Sequence, residues 1–493
     1  MDIRRQERAP FVEALEAYCR LGMTPFHTPG HKGGRSSSAY QQGLFGDALR
    51  RDLGLMYALD DLFQPEGPLK EAMELAADLY GAGRTFFSVN GTTACIEAMI
   101  LAVCRRGDYI IIPREAHRSV MGGLILSGAI PVYMESRFAE KEQISLGPDL
   151  ESLQAAIAAC PQAKAVLFTY PTYDGIAGNL EEMARYAHEQ GMVVLVDEAH
   201  GAHLPFCSDL PKDALACGAD CTAQSTHKLT GSLTQTSMLH CRRGFPLTDK
   251  VAAAMALVQS TSPHYWFLAS LDSARRQLAL HGTELVGQAV SLARKVRSEL
   301  NGIDGLYSFG TEITAYDAVG AFDETKVTID FSGLGLDGRQ AEKLLRKEGV
   351  EAELTAGNHV LALITMGDDE ESARTLCRAC RRVAEGQAGR QAGTSHRMAE
   401  LPLPVPCVVV PPQEAWNAET EAVPFAESLG RVAAETVTFY PPGIPAVGLG
   451  EEITADVMIY IKEKLARGYS PNGPADGTLG TIRVIKELSL IHI

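Results

Sequence analysis

The sequence predicts an α/β fold whose large domain is built on a seven-stranded, mostly parallel sheet. Three observations carry this. Between residues 85 and 241 short apolar runs alternate with helical patterns. The runs are apolar along their whole length rather than at every second residue, as in strands covered on both faces. Amphipathic stretches such as Leu180–Glu189 separate most of them, as crossover helices do.

Taken in order, the first 65 residues read as an arm: one helical pattern, Phe11–Leu21, then the turn-rich PFHTPGHKGG and a polar linker. Strands are expected at Phe86–Val89, Tyr109–Pro113, Pro131–Glu135, Ala165–Thr169, Val193–Asp197, Cys221–Ser225 and Ser237–Cys241. Tyr265–Leu300 reads as one long helix. A smaller α+β block follows, with strands at Lys326–Phe331 and His359–Met366 and helices at Gly338–Glu348 and Glu370–Ala384. A polar stretch, Glu385–Glu400, leads into LPLPVPCVVVPP, a linker or an extended strand. The last block holds a helix at Pro424–Leu429 and the loop YPPGIP; no role is read from the terminal LSLIHI. The expected domains are an arm at 1–65, a large domain at 66–300, a small α+β domain at 301–390 and a C-terminal domain at 391–493.

Composition narrows the function. The 493 residues carry 45 Lys+Arg against 61 Asp+Glu, a net charge of −16, which argues against nucleic acid and anionic membranes as partners. No apolar run is long enough to span a bilayer, and the start MDIRRQERAP lacks a signal-peptide core. Eleven scattered cysteines suggest a reducing cytoplasm, with neither a disulfide framework nor a Cys-built zinc site.

In a parallel sheet, ligands sit at the carboxyl ends of the strands. DEAH, residues 197–200, stands at such an end. An NTPase would need GxxxxGK[ST] upstream, and Gly30–Gly34 is followed by Arg35 instead. A metal site on His200 and His203 lacks a third ligand, and Gly201 and Pro205 interrupt the helix; no metal is expected. Taken alone, Asp197 reads as a turn cap and His200 as a packed polar residue. STHK, residues 225–228, ends the next strand and turns Lys228 toward the same cleft, although a single lysine is more often a solvated loop residue. SVNGTTACIEAMILAVCR, residues 88–105, is a strand, then Gly91-Thr92-Thr93, then a helix. A glycine there lets backbone approach an anion, and the helix amides and dipole bind phosphate, where a bland reading sees only an N-cap.

A phosphate cradle, a carboxylate and a lysine at three strand ends describe one ligand, pyridoxal 5′-phosphate. Lys228 would form the Schiff base, Asp197 would keep the pyridine nitrogen protonated and the helix N-terminus would hold the phosphate. Ser225 and His227 add phosphate donors, and His117 in REAHRSV is placed to stack on the ring.

Eight segments in order resemble one family: PFHTPGHKGG, LDDLFQPEGPLKEA, SVNGTTACIEA, YPTYDGI, VLVDEAHGAHLPF, STHKLTGSLTQ, TSPHYWFLASLD and FYPPGIPAVGLGE. The chain resembles, over nearly its whole length, the short-form, fold-type-I, pyridoxal-phosphate-dependent ornithine/lysine/arginine decarboxylases, whose large domain is aspartate-aminotransferase-like. The resemblance implies Lys228 as Schiff-base lysine, Asp197 on the pyridinium, His117 on the ring, and Thr92, Thr93, Ser225 and His227 on the phosphate. It implies that His200 contacts cofactor or substrate. It also implies a homodimer or higher oligomer in which the Thr261-Ser262 segment reaches the neighbouring subunit's site, and a product amine that feeds polyamine synthesis. Two positions depart from the family: Glu115 where Asn is usual and His264 where Ser is usual.

A decarboxylase holds the substrate carboxylate perpendicular to the ring, whereas an aminotransferase clamps it in plane, usually with a bidentate Arg. No strand-end Arg in 301–390 demands that role. Lys228 or His200 would return the proton to Cα. The expected substrate is a basic L-amino acid: arginine first, then lysine, then ornithine. Its cationic end needs an acid, with Glu353 ahead of Asp60 and Asp61. The rival readings are an aminotransferase, a Cβ-lyase and a non-enzymatic regulatory protein of the same fold.

Overall fold

The computed structural model describes residues 2–387, 403–439 and 443–486. Seven strands form one sheet: β1 Arg84–Ser88, β2 Tyr109–Pro113, β3 Ile130–Met134, β4 Ala165–Thr169, β5 Val193–Asp197, β6 Cys221–Gln224 and β7 Ser237–Cys241, in the order β1-β7-β6-β5-β4-β2-β3. β2 runs parallel to β3 and β4, and β5 parallel to β6. β7 alone runs antiparallel to both its neighbours, β6 and β1. That reversal brings the start of β7 to the same edge as the end of β6. Four strands and the helix Tyr265–Leu300 keep their expected bounds, because unbroken apolar runs such as AVLFT and VVLVD have only the buried interior to occupy.

The chain forms two compact units. The first comprises Met1–Ala102 and Leu195–Gln288. Its helix Pro10–Arg20 is docked by the fully buried Arg275, which donates to the Gln6 and Arg8 carbonyls at 2.9 and 2.6 Å and to Asp272 Oδ1 at 2.6 Å. Asp272 Oδ2 in turn accepts from Phe11 N at 2.9 Å. Beyond this anchor the chain exposes Leu21, Met23, Phe26, Tyr40, Leu44 and Tyr57.

The second unit comprises Val103–Val194 and Ala289–Ile493. Within it an antiparallel sheet of Lys326–Asp330, His359–Leu363 and Leu354–Ala356 shares a core with helices Gly338–Lys347 and Glu370–Gln387. The Asp337 side chain and Gln340 close a capping box on the first of these helices. Cys377 and Cys380 make a C-x-x-C spacing on the second, contrary to what the scatter of the cysteines suggests. Both are buried in the core that these helices share, and burial pushes each thiol up to about 12.

The expected helix at Pro424–Leu429 is not formed. Thr420–Pro424 is a strand paired with Thr481–Ile485, and only a single 3-10 turn, Phe425–Glu427, follows it. The strand pairing claims the backbone up to Pro424, which leaves too few residues for a helix before Gly430. In LPLPVPCVVVPP, Val408 forms an isolated antiparallel bridge with Glu451, and Val409 N and Val410 N donate to the Gly450 carbonyl. Residues 388–402, which hold most of the polar stretch, residues 440–442 of YPPGIP and the LSLIHI tail lie outside the described residues.

Candidate active site

In the first unit Asp197 is the last residue of β5, and Lys228 stands just past the end of β6, the parallel strand paired with it. Asp197 lies opposite Ala223 in the β5–β6 register. Its side chain is buried, and Oδ1 accepts from Ala199 N at 3.1 Å, which tightens the turn carrying His200. Ser225 follows β6 directly and opens the one-turn helix Thr226–Leu229; Lys228 N donates to the Ser225 carbonyl at 3.0 Å. The two strand ends meet where Lys228 Nζ and His200 Nε2 lie 2.9 Å apart. His200 is buried and Lys228 half-buried.

A hydroxyl cluster lies at the start of the thirteen-residue helix Gly91–Val103. Gly91 has φ +74°, a left-handed conformation that suits glycine, and donates to the Gln235 carbonyl at 2.8 Å. Gln235 reciprocates through its side chain, which donates to the Val89 carbonyl at 2.7 Å. Thr92 Oγ1 then stands 2.5 Å from Ser225 Oγ and 2.7 Å from Ser237 Oγ. All three are buried, and Thr93 is exposed on the same first turn. Three hydroxyls with the free amides of a helix start are a donor set that fits a phosphate ester. Beside them His227 Nδ1 lies 2.7 Å from the Thr236 carbonyl and burial lowers its pKa, so Nδ1 carries the proton of a neutral ring. Ser237 is absent from the sequence expectation because nothing in its residue type marks it. Only the reversed direction of β7 brings it to this edge.

The remaining candidates divide. Asp60 is a cap: its carboxylate accepts from the backbone N of Glu66, Gly67, Leu69 and Lys70 at 2.7–3.4 Å, at the start of helix Pro68–Leu79. Asp61 accepts from Phe63 N at 2.7 Å and is exposed. Thr261 and Ser262 are exposed in the bend before the long helix, where His264 stacks on Phe267 with ring centroids 5.0 Å apart.

In the second unit His117 is the N-cap of helix Arg118–Ser127, accepting from Ser119 N at 3.3 Å and pairing with Ser119 Oγ at 2.8 Å. Glu115 accepts from the hydroxyls of Ser136 and Ser145, and burial raises its pKa. Glu353 is exposed, and its charge acts on the buried Lys326, which is ion-paired with Asp323 at 2.5 Å.

Residues 9–372 match the family model of the Orn/Lys/Arg decarboxylase major domain, and residues 396–467 match that of the Orn/Lys/Arg decarboxylase C-terminal domain. The chain is 40% identical over 490 residues to an arginine decarboxylase of Bacillus subtilis (strain 168), covering 99% of this chain and 100% of that one. It is 28% identical to the lysine decarboxylase LdcA of Pseudomonas aeruginosa, across 97% of this chain and 80% of that protein. Among solved structures, the Francisella novicida lysine decarboxylase LdcF matches with a TM-score of 0.85 at 21% identity, over 97% of this chain and 81% of that one, which is a likeness of fold. The paired segments, the fold-type-I sheet and these matches agree, and the chain belongs to the Orn/Lys/Arg decarboxylase family.

Proposed function

We propose that this chain removes CO₂ from a basic L-amino acid with pyridoxal 5′-phosphate as its cofactor, arginine being used ahead of lysine and ornithine. The observation that carries the reading is the first-unit constellation: Lys228 against His200, Asp197 on the adjoining strand end, and the hydroxyl cluster at the start of Gly91–Val103. The arginine preference rests on the relatives named arginine decarboxylase at about 40% identity.

When bound, the cofactor supplies an electron sink for the charge left at Cα. The chain's own residues supply the rest. The first-turn amides with Thr92, Thr93, Ser225, Ser237 and His227 hold the phosphate. Asp197 keeps a positive charge on the ring nitrogen. Lys228 binds the cofactor, and Lys228 or His200 delivers a proton to Cα, their 2.9 Å separation letting one re-protonate the other. The family resemblance implies that His117 would stack on the ring.

The active form is proposed to be at least a homodimer, with Thr261 and Ser262 serving the partner's site. The exposed apolar row from Leu21 to Tyr57 supports an oligomer. A cytoplasmic setting is proposed from the eleven free cysteines, and a supply of amine for polyamine synthesis from the family resemblance. The test is a competition of arginine, lysine and ornithine, with products identified by mass spectrometry. Amines with CO₂ support the reading; keto acids would move the enzyme to the aminotransferases.

A further inference from the structure

Glu198, the second residue of the DEAH segment, is fully buried one residue from Asp197 and two from His200. Its partners are unlike those of either neighbour. Oε1 accepts from Ala214 N at 2.7 Å, and Oε2 is bound by Thr222 Oγ1 at 2.8 Å and Gln224 Nε2 at 2.9 Å. Its backbone N donates to the Ala223 carbonyl at 3.0 Å, and its carbonyl accepts from Gly201 N at 2.9 Å. One residue thus ties the turn that carries His200 to the last three residues of β6, directly ahead of Ser225 and Lys228.

The tie continues as a closed circuit. Gln224 Oε1 meets His240 Nε2 at 3.2 Å, and His240 Nδ1 meets Thr85 Oγ1 at 2.8 Å. Tyr80 packs on the His240 ring with centroids 4.6 Å apart, and its hydroxyl donates to the Ala202 carbonyl at 3.0 Å, back in the turn that Glu198 begins. Space is reserved for this arrangement. A Cβ on Gly201 would lie 2.5 Å from Glu198 Cγ, a side chain that its three donors hold in place.

We infer that Glu198 is a positioning residue for the proposed chemistry: it fixes the separation of the two strand ends, and so the approach of Lys228 to His200 and Asp197. This rests on the proposed pyridoxal-phosphate site in the first unit. A buried acid with no catalytic contact is costly, and a hydrogen-bonded bridge between two strand ends is what that cost maintains.

The test uses the full-length protein with pyridoxal phosphate as the probe. Glu198→Asp keeps the chemistry but shortens the reach by one methylene. Gly201→Ala displaces Glu198 without altering it. Each should weaken cofactor affinity, read by absorbance titration, and lower kcat by about tenfold or more while KM moves little, since misplacements near 1 Å cost that much. Thr222→Val removes one of the three donors at nearly constant volume and should give a smaller loss in the same direction, whether or not the first two variants fold. Variants that melt at lower temperature yet keep wild-type cofactor affinity and kcat would assign Glu198 to stability alone and overturn the inference. Failure of the underlying site looks different, because wild-type protein would then take no borohydride-fixed label on Lys228.

Discussion

The Arg114 guanidinium grips both carboxylate oxygens of Glu451, at 2.8 and 3.1 Å, in a fully buried pair 337 residues apart in sequence. Arg114 also donates to the carbonyls of Pro404 and Ala446, and Tyr133 Oη and Gly448 N donate to Glu451 at 2.5 and 2.6 Å. The REAH turn and the end of the FYPPGIPAVGLGE segment are therefore joined by one ion pair inside the second unit. A buried pair is costly to break on one side, because the surviving charge keeps its desolvation penalty without its partner. Glu451→Gln should lose about 3–5 kcal/mol in denaturant unfolding. Replacing both residues, Arg114→Met with Glu451→Met, should recover at least half of that. A double variant as unstable as the single one would contradict this account.

Borohydride reduction in the presence of pyridoxal phosphate should fix the label on Lys228, found by peptide mapping. In Lys228→Ala the label should vanish without transfer to Lys212, 16 residues earlier in the chain. A label elsewhere in the wild-type protein removes the centre of the functional reading.

Asp197→Asn should retain the cofactor and lose most turnover. The amide cannot hold the ring nitrogen protonated, and lost electrostatic stabilisers of this kind cost roughly 3–4 kcal/mol of barrier. Near-wild-type kcat in that variant would give Asp197 another role.

Norleucine is close in shape to lysine but has no terminal cation. If a buried acid receives that cation, norleucine leaves the acid uncompensated and should lose at least ~100-fold in kcat/KM. Equal use of both substrates would sink the basic-substrate proposal.

Burial, with the Asp213 charge adding to it, pushes the Glu198 carboxyl up to about 8 from its ordinary 4.5. The folded chain therefore holds a proton that the unfolded chain releases above the ordinary value. The stabilising contribution is full below pH 4.5 and is lost as pH rises toward 8, at about 1.4 kcal/mol per pH unit in that window. The unfolding free energy of the wild type minus that of Glu198→Gln should fall across the same interval. A flat difference would mean that the carboxyl ionises alike in both states.

What the sequence discloses follows from what each feature depends on. β4 and β5 are legible because AVLFT and VVLVD leave no other placement, and the turn that carries Lys228 is legible because STHK follows directly on the buried run of β6. Ser237 is not legible, since it reaches the hydroxyl cluster only through the antiparallel direction of β7, which register decides and composition does not. Glu198 hides inside DEAH because its side-chain direction needs the turn that Gly201 permits. The Pro424–Leu429 helix is misread for the opposite reason: its helical pattern yields to a strand partner, Thr481–Ile485, more than fifty residues away.

The pairing of β1 with β7 sets a clock on synthesis. Arg84 lies opposite Cys241 and Ser88 opposite Ser237, so β1 leaves the ribosome about 150 residues before its partner strand exists. At roughly 5–20 residues per second that is an interval on the order of ten to thirty seconds. Throughout it Phe86 and Phe87, destined for the interior, have no strand to lie against. A nascent chain stalled before Ser237 should therefore be cut by protease around this pair and engage chaperones there. The same chain stalled well beyond Cys241, with β7 clear of the exit tunnel, should be protected.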